Sequence, residues 1–307
     1  MSSEKQLVSF DYAIKYLLRD KSNYQIIEGF LSALLKTMGY KGVKIISLLE
    51  SESNKEDSKS KRSLADLVVE DENHHKYIIE IESDFTYSFI HKSLFNTSRI
   101  IVDNLAEGVD YTKILKVIHI SLLYFEVSKN NNGPIYHGET IIREIDSKER
   151  LAIHLEDKET GEKYDAAGIM PEYFYISIPS FNDRIEREID EWLHVMKHDK
   201  VPENYESPYM KQVTEKLSVL KMSQEERNRY FYYKKKLYSD RDQIDAATHK
   251  GIEIGREEGR EEGREEGREV RENEIAINML KQNLDHSLIS SVTGLSVENI
   301  LKLKDKL

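Results

Sequence analysis

The chain contains no cysteine. That excludes disulfides, a thiolate-ligated zinc site and a cysteine nucleophile. No run approaches the roughly 20 consecutive apolar residues needed to span a bilayer. Residues 1–6, Met-Ser-Ser-Glu-Lys-Gln, lack the apolar segment of a secretory signal. The expectation is a soluble, cytoplasmic chain with no membrane contact. A basic excess is missing too: 45 Lys and Arg stand against 56 Asp and Glu, a net charge of −11. Nucleic-acid binders usually carry a basic face, so this balance argues against a simple one. Part of the acid is local. Residues 251–272 hold nine Glu and five Arg, and residues 50–57 are also acidic. A cation bound at an acidic cluster would offset more. Apolar content is low at 39% and charged content high at 33%. Together they point to a compact core carrying exposed, charged helices.

What is present centres on two short strings. Residues 64–70 (Leu-Ala-Asp-Leu-Val-Val-Glu) and 76–82 (Lys-Tyr-Ile-Ile-Glu-Ile-Glu) both read as strands. The five residues between them, Asp71 to His75, are polar and turn-like. In an antiparallel hairpin with Glu70 opposite Lys76, Asp66 falls opposite Glu80. Side chains alternate along a strand, so Glu82 shares that face. Like charges directly opposed on a sheet are destabilising. A divalent cation turns that repulsion into binding, because hard cations take oxygen ligands. On spacing alone the alternative stays open: strand carboxylates often face solvent, and a one-residue slip moves Asp66 off the shared face.

An acidic residue in one strand followed by Glu-x-Glu in the next resembles the PD-(D/E)XK nuclease superfamily. More closely, the chain is similar to the Rpn-type recombination-promoting nuclease/transposase family. The likeness begins at Phe10-Asp11-Tyr12-Ala13-Ile14-Lys15-Tyr16-Leu17-Leu18 and passes through Arg62, Asp66 and Glu80-Ile81-Glu82. It continues along Lys92-Ser93-Leu94-Phe95, Gly108-Val109-Asp110-Tyr111 and the apolar stretch 117–125, and includes the Gly-rich charged tail. The resemblance implies an α/β fold, a PD-(D/E)XK nuclease-like mixed sheet flanked by helices, followed by a helical C-terminal region. It implies a metal-dependent DNA endonuclease associated with recombination or transposition. Asp66, Glu80 and Glu82 would hold Mg²⁺ or Mn²⁺, with Lys92, Asp11 and Lys15 nearby. Two positions depart from the pattern. Glu82 stands where the superfamily usually has Lys and the family commonly Gln, and Lys92 stands where the family usually has Arg. Two other readings remain: a catalytically inactive nuclease fold retained as a DNA-binding recombination accessory, and an oligomeric scaffold.

Along the chain the pattern predicts four regions: a nuclease-like core over 1–180, a helical extension over 181–250, a Gly-Arg-Glu linker or stalk helix over 251–272, and a small helical unit over 273–307. Ser22-Asn23-Tyr24-Gln25 reads as a capping box opening a helix with Ile26, Ile27, Phe30, Leu31, Leu34 and Leu35 on one face and Gly39 at its end. Residues 43–49 read as a strand and 50–60 as a polar loop. A helix over 87–107 is expected to bury Ile90, Leu94, Ile101 and Leu105 and to stop at Gly108. Residues 116–125 read as a buried central strand. Strands over 135–145, 151–155 and 173–178 are expected to extend the sheet. A helix over 183–198 carries Ile185, Ile189, Trp192 and Met196 at helical spacing, so Trp192 reads as core rather than as a base-stacking platform. Helices over 210–220 and 224–247 follow. The second holds Tyr230-Phe231-Tyr232-Tyr233-Lys234-Lys235-Lys236, read as a packed helix with solvated lysines in preference to a phosphate grip.

Gly251, Gly255, Gly259, Gly263 and Gly267 recur every four residues. Each costs about 1 kcal/mol against Ala in a helix. Close contact between chains along this stripe would help, so homo-oligomerisation through the C-terminal region is expected. In the last stretch, Ile275, Met279 and Leu280 stripe one helix. Residues 286–293 and 297–307 flank Gly294-Leu295-Ser296 with helix-turn-helix spacing. Ser296, Asn299 and Lys302 lie where a reading helix would meet DNA, but the low positive charge favours a packing or dimerising unit.

Overall fold

The computed structural model describes residues 7–18, 20–49, 66–103, 111, 114–127, 133–156 and 163–306. The polar loop 50–60, Arg62, Leu64, Ala65, Leu105 and the string 108–110 lie outside the described residues. The chain divides into two compact units, residues 1–230 and 231–307.

The first unit opens with helix α1 (Phe10–Tyr12), which runs into a π-helical turn, Ala13–Leu17. A 3₁₀ turn over Lys21–Asn23 leads to helix α2 (Tyr24–Lys36). The expected capping box does not form. Asp20 caps the preceding turn instead, accepting from Ser22 N at 2.8 Å, and Asn23 makes no side-chain cap to α2. The apolar stripe is as read: Ile26, Ile27, Phe30, Leu31, Leu34 and Leu35 are buried. Gly39 takes φ +78 in the turn after the helix, a conformation in which a Cβ is strained. Gly29 has a different reason. A Cβ there would meet Tyr209 Cγ at 2.5 Å and Trp192 at 2.8 Å, so α2 packs closer than any side chain allows.

Strands β1 (Ile45–Leu49), β2 (Leu67–Asp71) and β3 (Lys76–Glu82) form an antiparallel meander. Helix α3 (Phe89–Asp103) crosses to β4 (Val117–Leu123), which pairs parallel with β3. The edge strand β5 (Ile135–Glu139) follows, then β6 (His154–Glu156) and β7 (Lys163–Asp165), and finally β8 (Glu172–Ser177). The six-stranded mixed sheet runs β1-β2-β3-β4-β8-β5. Every residue of β4 is buried, as its near-continuous apolar run predicts for a central parallel strand. One expectation fails: β6 does not extend this sheet but pairs with β7 in a separate two-stranded ribbon. Its residues are exposed on both faces, so no core holds it in the main sheet.

Helix α4 (Glu188–His198) buries Ile189, Trp192 and Met196; Ile185 lies before it and is exposed. Trp192 is fully buried, its ring 6.1 Å from Phe10 and 6.0 Å from Phe30. Helix α5 (Met210–Lys216) and a 3₁₀ turn precede α6 (Gln224–Lys281), whose first turns place Tyr230 against Tyr12 at 4.9 Å with its hydroxyl accepting from Ser9 N.

In the second unit, α6 stays helical through all five repeat glycines. Phe231 and Tyr232 are exposed. Helix α7 (His286–Thr293) turns at Gly294, φ +77, into α8 (Val297–Lys304), which Ser296 caps by accepting from Asn299 N at 3.2 Å. Ala276, Leu280, Ile289 and Ile300 form its core. Ile275, expected on the buried stripe, is exposed. Among the described residues no helix is long and apolar enough to cross a membrane.

Candidate active site

The β2–β3 ladder pairs Glu70 with Lys76 and Leu67 with Ile79. This is the register the charge pattern requires. The next position places Asp66 opposite Glu80. Asp66 sits just before β2 and Oδ2 accepts from Ile81 N at 2.8 Å, taking the place of the next backbone rung. Its Oδ1 lies 3.9 Å from Lys15 Nζ, carried in by the π-helical turn. Asp11 is buried in α1, one turn before Lys15.

Glu80 is 1% exposed. A buried carboxylate is costly unless its oxygens are bonded. Both oxygens accept from Asn96 Nδ2, at 2.9 and 2.8 Å, and Oε1 lies 2.9 Å from Lys92 Nζ. The same ammonium bonds Glu82 Oε1 at 2.7 Å. Lys92 and Asn96 are four residues apart on α3, hence on one face. That face is not the one apolar periodicity predicts. Ile90 and Leu94 are exposed, Ile101 is only half-buried, and α3 buries Phe89, Ser93, Asn96 and Thr97. The sheet beneath offers Glu80, His119 and Ser121, all buried, and a polar helix face satisfies these groups where an apolar one would strand them.

His119 was not anticipated, although a lone histidine in an otherwise apolar strand was a usable signal. It is fully buried, with Nδ1 3.3 Å from Thr97 Oγ1 and Nε2 3.5 Å from Glu80 Oε2. The Thr97 hydroxyl donates to Ser93 O at 2.8 Å, and its oxygen stands beside His119 Nδ1. Burial, with Lys92 adding to it, pushes the His119 pKa down to about 3, and the ring is neutral. Burial raises the Glu80 pKa, opposed by Lys92 and Asn96. Burial would lower that of Lys92, but its bonds to Glu82 and Glu80 outweigh this and raise it.

These charges give a pH-dependent expectation. With its pKa raised, the Glu80 carboxyl is most stabilising when protonated, below the unfolded carboxyl range near about 4.3. That advantage is lost as pH rises through the folded value. Lys92→Met removes the counter-charge, so the variant should melt well below the parent at pH 8 and show a smaller deficit at pH 5. Equal deficits at both values, measured by circular dichroism melts, would show that Lys92 does not hold the buried charge.

The carboxylates supply the hard oxygen donors that Mg²⁺ or Mn²⁺ takes. Asn96 Oδ1 and His119 Nε2, buried beside Glu80, have no hydrogen-bond partner. The oxygens of Asp66, Glu80 and Glu82 do not all lie within 4.8 Å of one another; Asp66 is bonded to Ile81 N, and Lys92 bridges Glu80 and Glu82. The chemistry of the donor set, three carboxylates, fits a hard divalent cation.

Against known protein families, the model of a family described as PD-(D/E)XK nuclease family transposase matches residues 8–247. No curated protein and no solved structure matches the chain.

Proposed function

The chain belongs to the PD-(D/E)XK nuclease family transposases, and from that membership and the acidic site we propose that it is a metal-dependent DNA endonuclease. The observation that carries the reading is Glu80: a fully buried carboxylate at the centre of the sheet, opposite Asp66 and joined to Glu82 through one ammonium. A fold gains little stability from such a group, so a functional role accounts for it better. When bound, Mg²⁺ or Mn²⁺ would lower the pKa of a water and offset charge on the phosphate. Asp66 and Glu80 would be its protein ligands, with Glu82 as a further ligand, water-orienting group or weak base. The third motif position lacks its usual lysine, and Lys92 supplies the missing cation from α3. Its Nζ would contact the scissile phosphate, with Lys15 at the Asp66 side. Asp11, buried on α1 one turn before Lys15, completes the set. Phosphoester hydrolysis needs positioning and charge stabilisation more than covalent help, which suits this donor set.

The test is purified protein with supercoiled plasmid DNA, with Mg²⁺ or with EDTA. Nicking or linearisation only with Mg²⁺ is expected. Plasmid binding without cutting in either condition would instead identify an accessory protein whose carboxylates stay neutralised by Lys92.

We further propose that residues 251–307 drive self-association, while residues 1–247 hold the chemistry. Exposed Leu288 and Val292 on α7, and Val297 and Leu301 on α8, leave apolar surface on the small unit. By light scattering, a chain ended at Ala247 should have a lower mass multiple than the full chain. It should bind DNA more weakly through lost multivalency while keeping most of its intrinsic cutting. The same oligomeric state for both chains would reduce the long helix to a linker.

A further inference from the structure

We propose that Asp183, His194 and His198 form a second metal site, selective for Zn²⁺ and separate from the carboxylate cluster. Among the described residues these three are the group of His and acidic side chains whose donor atoms all lie within 4.8 Å of one another. His194 and His198 are four residues apart on the last turn of α4, so both rings lie on one face, with centroids 4.6 Å apart. This spacing on a helix is the one used to bind zinc through two imidazoles. Asp183 comes from the segment before α4. It is held at φ +64, a left-handed conformation that aspartate tolerates, and its Oδ1 lies 2.6 Å from His198 Nε2.

The donor chemistry chooses the metal. Two imidazoles and one carboxylate suit zinc, whereas Mg²⁺ demands oxygen. Zinc bonds of about 2.0–2.1 Å to N and O place tetrahedral ligand atoms roughly 3.3 Å apart. The 2.6 Å contact must open and the wider contacts close, both within side-chain rotation. Three protein ligands leave a fourth position for water, as in open zinc sites. His194 Nδ1 is buried without a hydrogen-bond partner, a condition that normally has a reason. The negative end of the α4 dipole favours a cation there. Lys197 opposes it: its Nζ lies 3.0 Å from Asp183 Oδ2 and competes for the carboxylate.

The experiment is calorimetric titration of ZnCl₂ into the full chain in excess Mg²⁺, which occupies the hard oxygen site. One saturable Zn²⁺ per chain is expected. His198→Ala and Asp183→Asn, both at exposed positions, should each weaken it at least tenfold. Lys197→Gln should tighten it, and Glu80→Gln should leave it unchanged. Zn²⁺ should raise the melting temperature of the parent but not of His198→Ala. Co²⁺ should give a visible absorption that His198→Ala abolishes. The proposal is overturned if no saturable binding occurs, if His198→Ala binds like the parent, or if Glu80→Gln removes the binding. In the first two cases Asp183 and His198 are only a hydrogen-bonded pair at the end of the helix. In the third the zinc belongs to the carboxylate cluster.

Discussion

Glu80→Gln should abolish Mg²⁺-dependent DNA cutting while melting at or above the parent temperature at pH 7. Loss of one preorganised electrostatic group at a reacting centre costs roughly 10²–10³-fold in rate. Loss of a metal ligand should reach at least that. The stability half follows from burial: the charged form of Glu80 is penalised in the folded state, and glutamine removes the penalty while still accepting from Asn96. Lys92 keeps its bond to Glu82. Asp66→Asn should lose activity comparably with little change in melting, because its amide oxygen can still accept from Ile81 N. Rates are read from plasmid nicking and stability from thermal melts. Cutting at the parental rate by either variant, or unfolding of both, would remove these carboxylates from the active site. A site residue whose removal leaves stability equal or higher is what a stability–function compromise predicts.

Trp192→Ala should destabilise the first unit by about 3–5 kcal/mol, the range for removing a large buried aromatic side chain. Trp192 is fully buried against Phe10 and Phe30, and Gly29 brings α2 in to meet it. Two aromatic contacts at edge or tilted geometry add to the apolar area lost. Phe10 begins the segment whose next turn carries Lys15 toward Asp66, so loosening it should also slow cutting. Urea unfolding of the parent, Trp192→Phe and Trp192→Ala would measure this, with the Phe variant intermediate. A cost below about 1 kcal/mol for the alanine variant would mean the helices pack on something other than this ring.

Several elements were legible from the chain alone because their signals are local. The hairpin follows from two β-rich strings around a short polar turn, and the register assumed for it, Glu70 opposite Lys76, is the one the ladder has. The stripe on α2 and the buried β4 followed from periodicity and from an unbroken apolar run. Helical spacing puts Trp192 in the core for the same reason, and the glycine-rich repeat forms the helix its charge pattern predicts.

The decisive features of the site were not local. Which face of α3 is buried depends on what lies beneath it. Apolar periodicity favoured Ile90 and Leu94, but a sheet presenting Glu80, His119 and Ser121 rewards Ser93, Asn96 and Thr97, because an unbonded buried polar group costs more than an exposed leucine. The same packing brings Lys92 between Glu80 and Glu82, ten or more residues along the chain, where the motif itself lacks a cation. β6 left the main sheet because no core faces it. The sequence by itself determined that Glu80 and Glu82 share a face, since strand alternation is a property of the backbone; the register that brings Asp66 to that face is set by the β2–β3 ladder. Only the tertiary structure decided which groups neutralise these carboxylates, since that partner is selected by the free energy of burying charge and not by sequence distance.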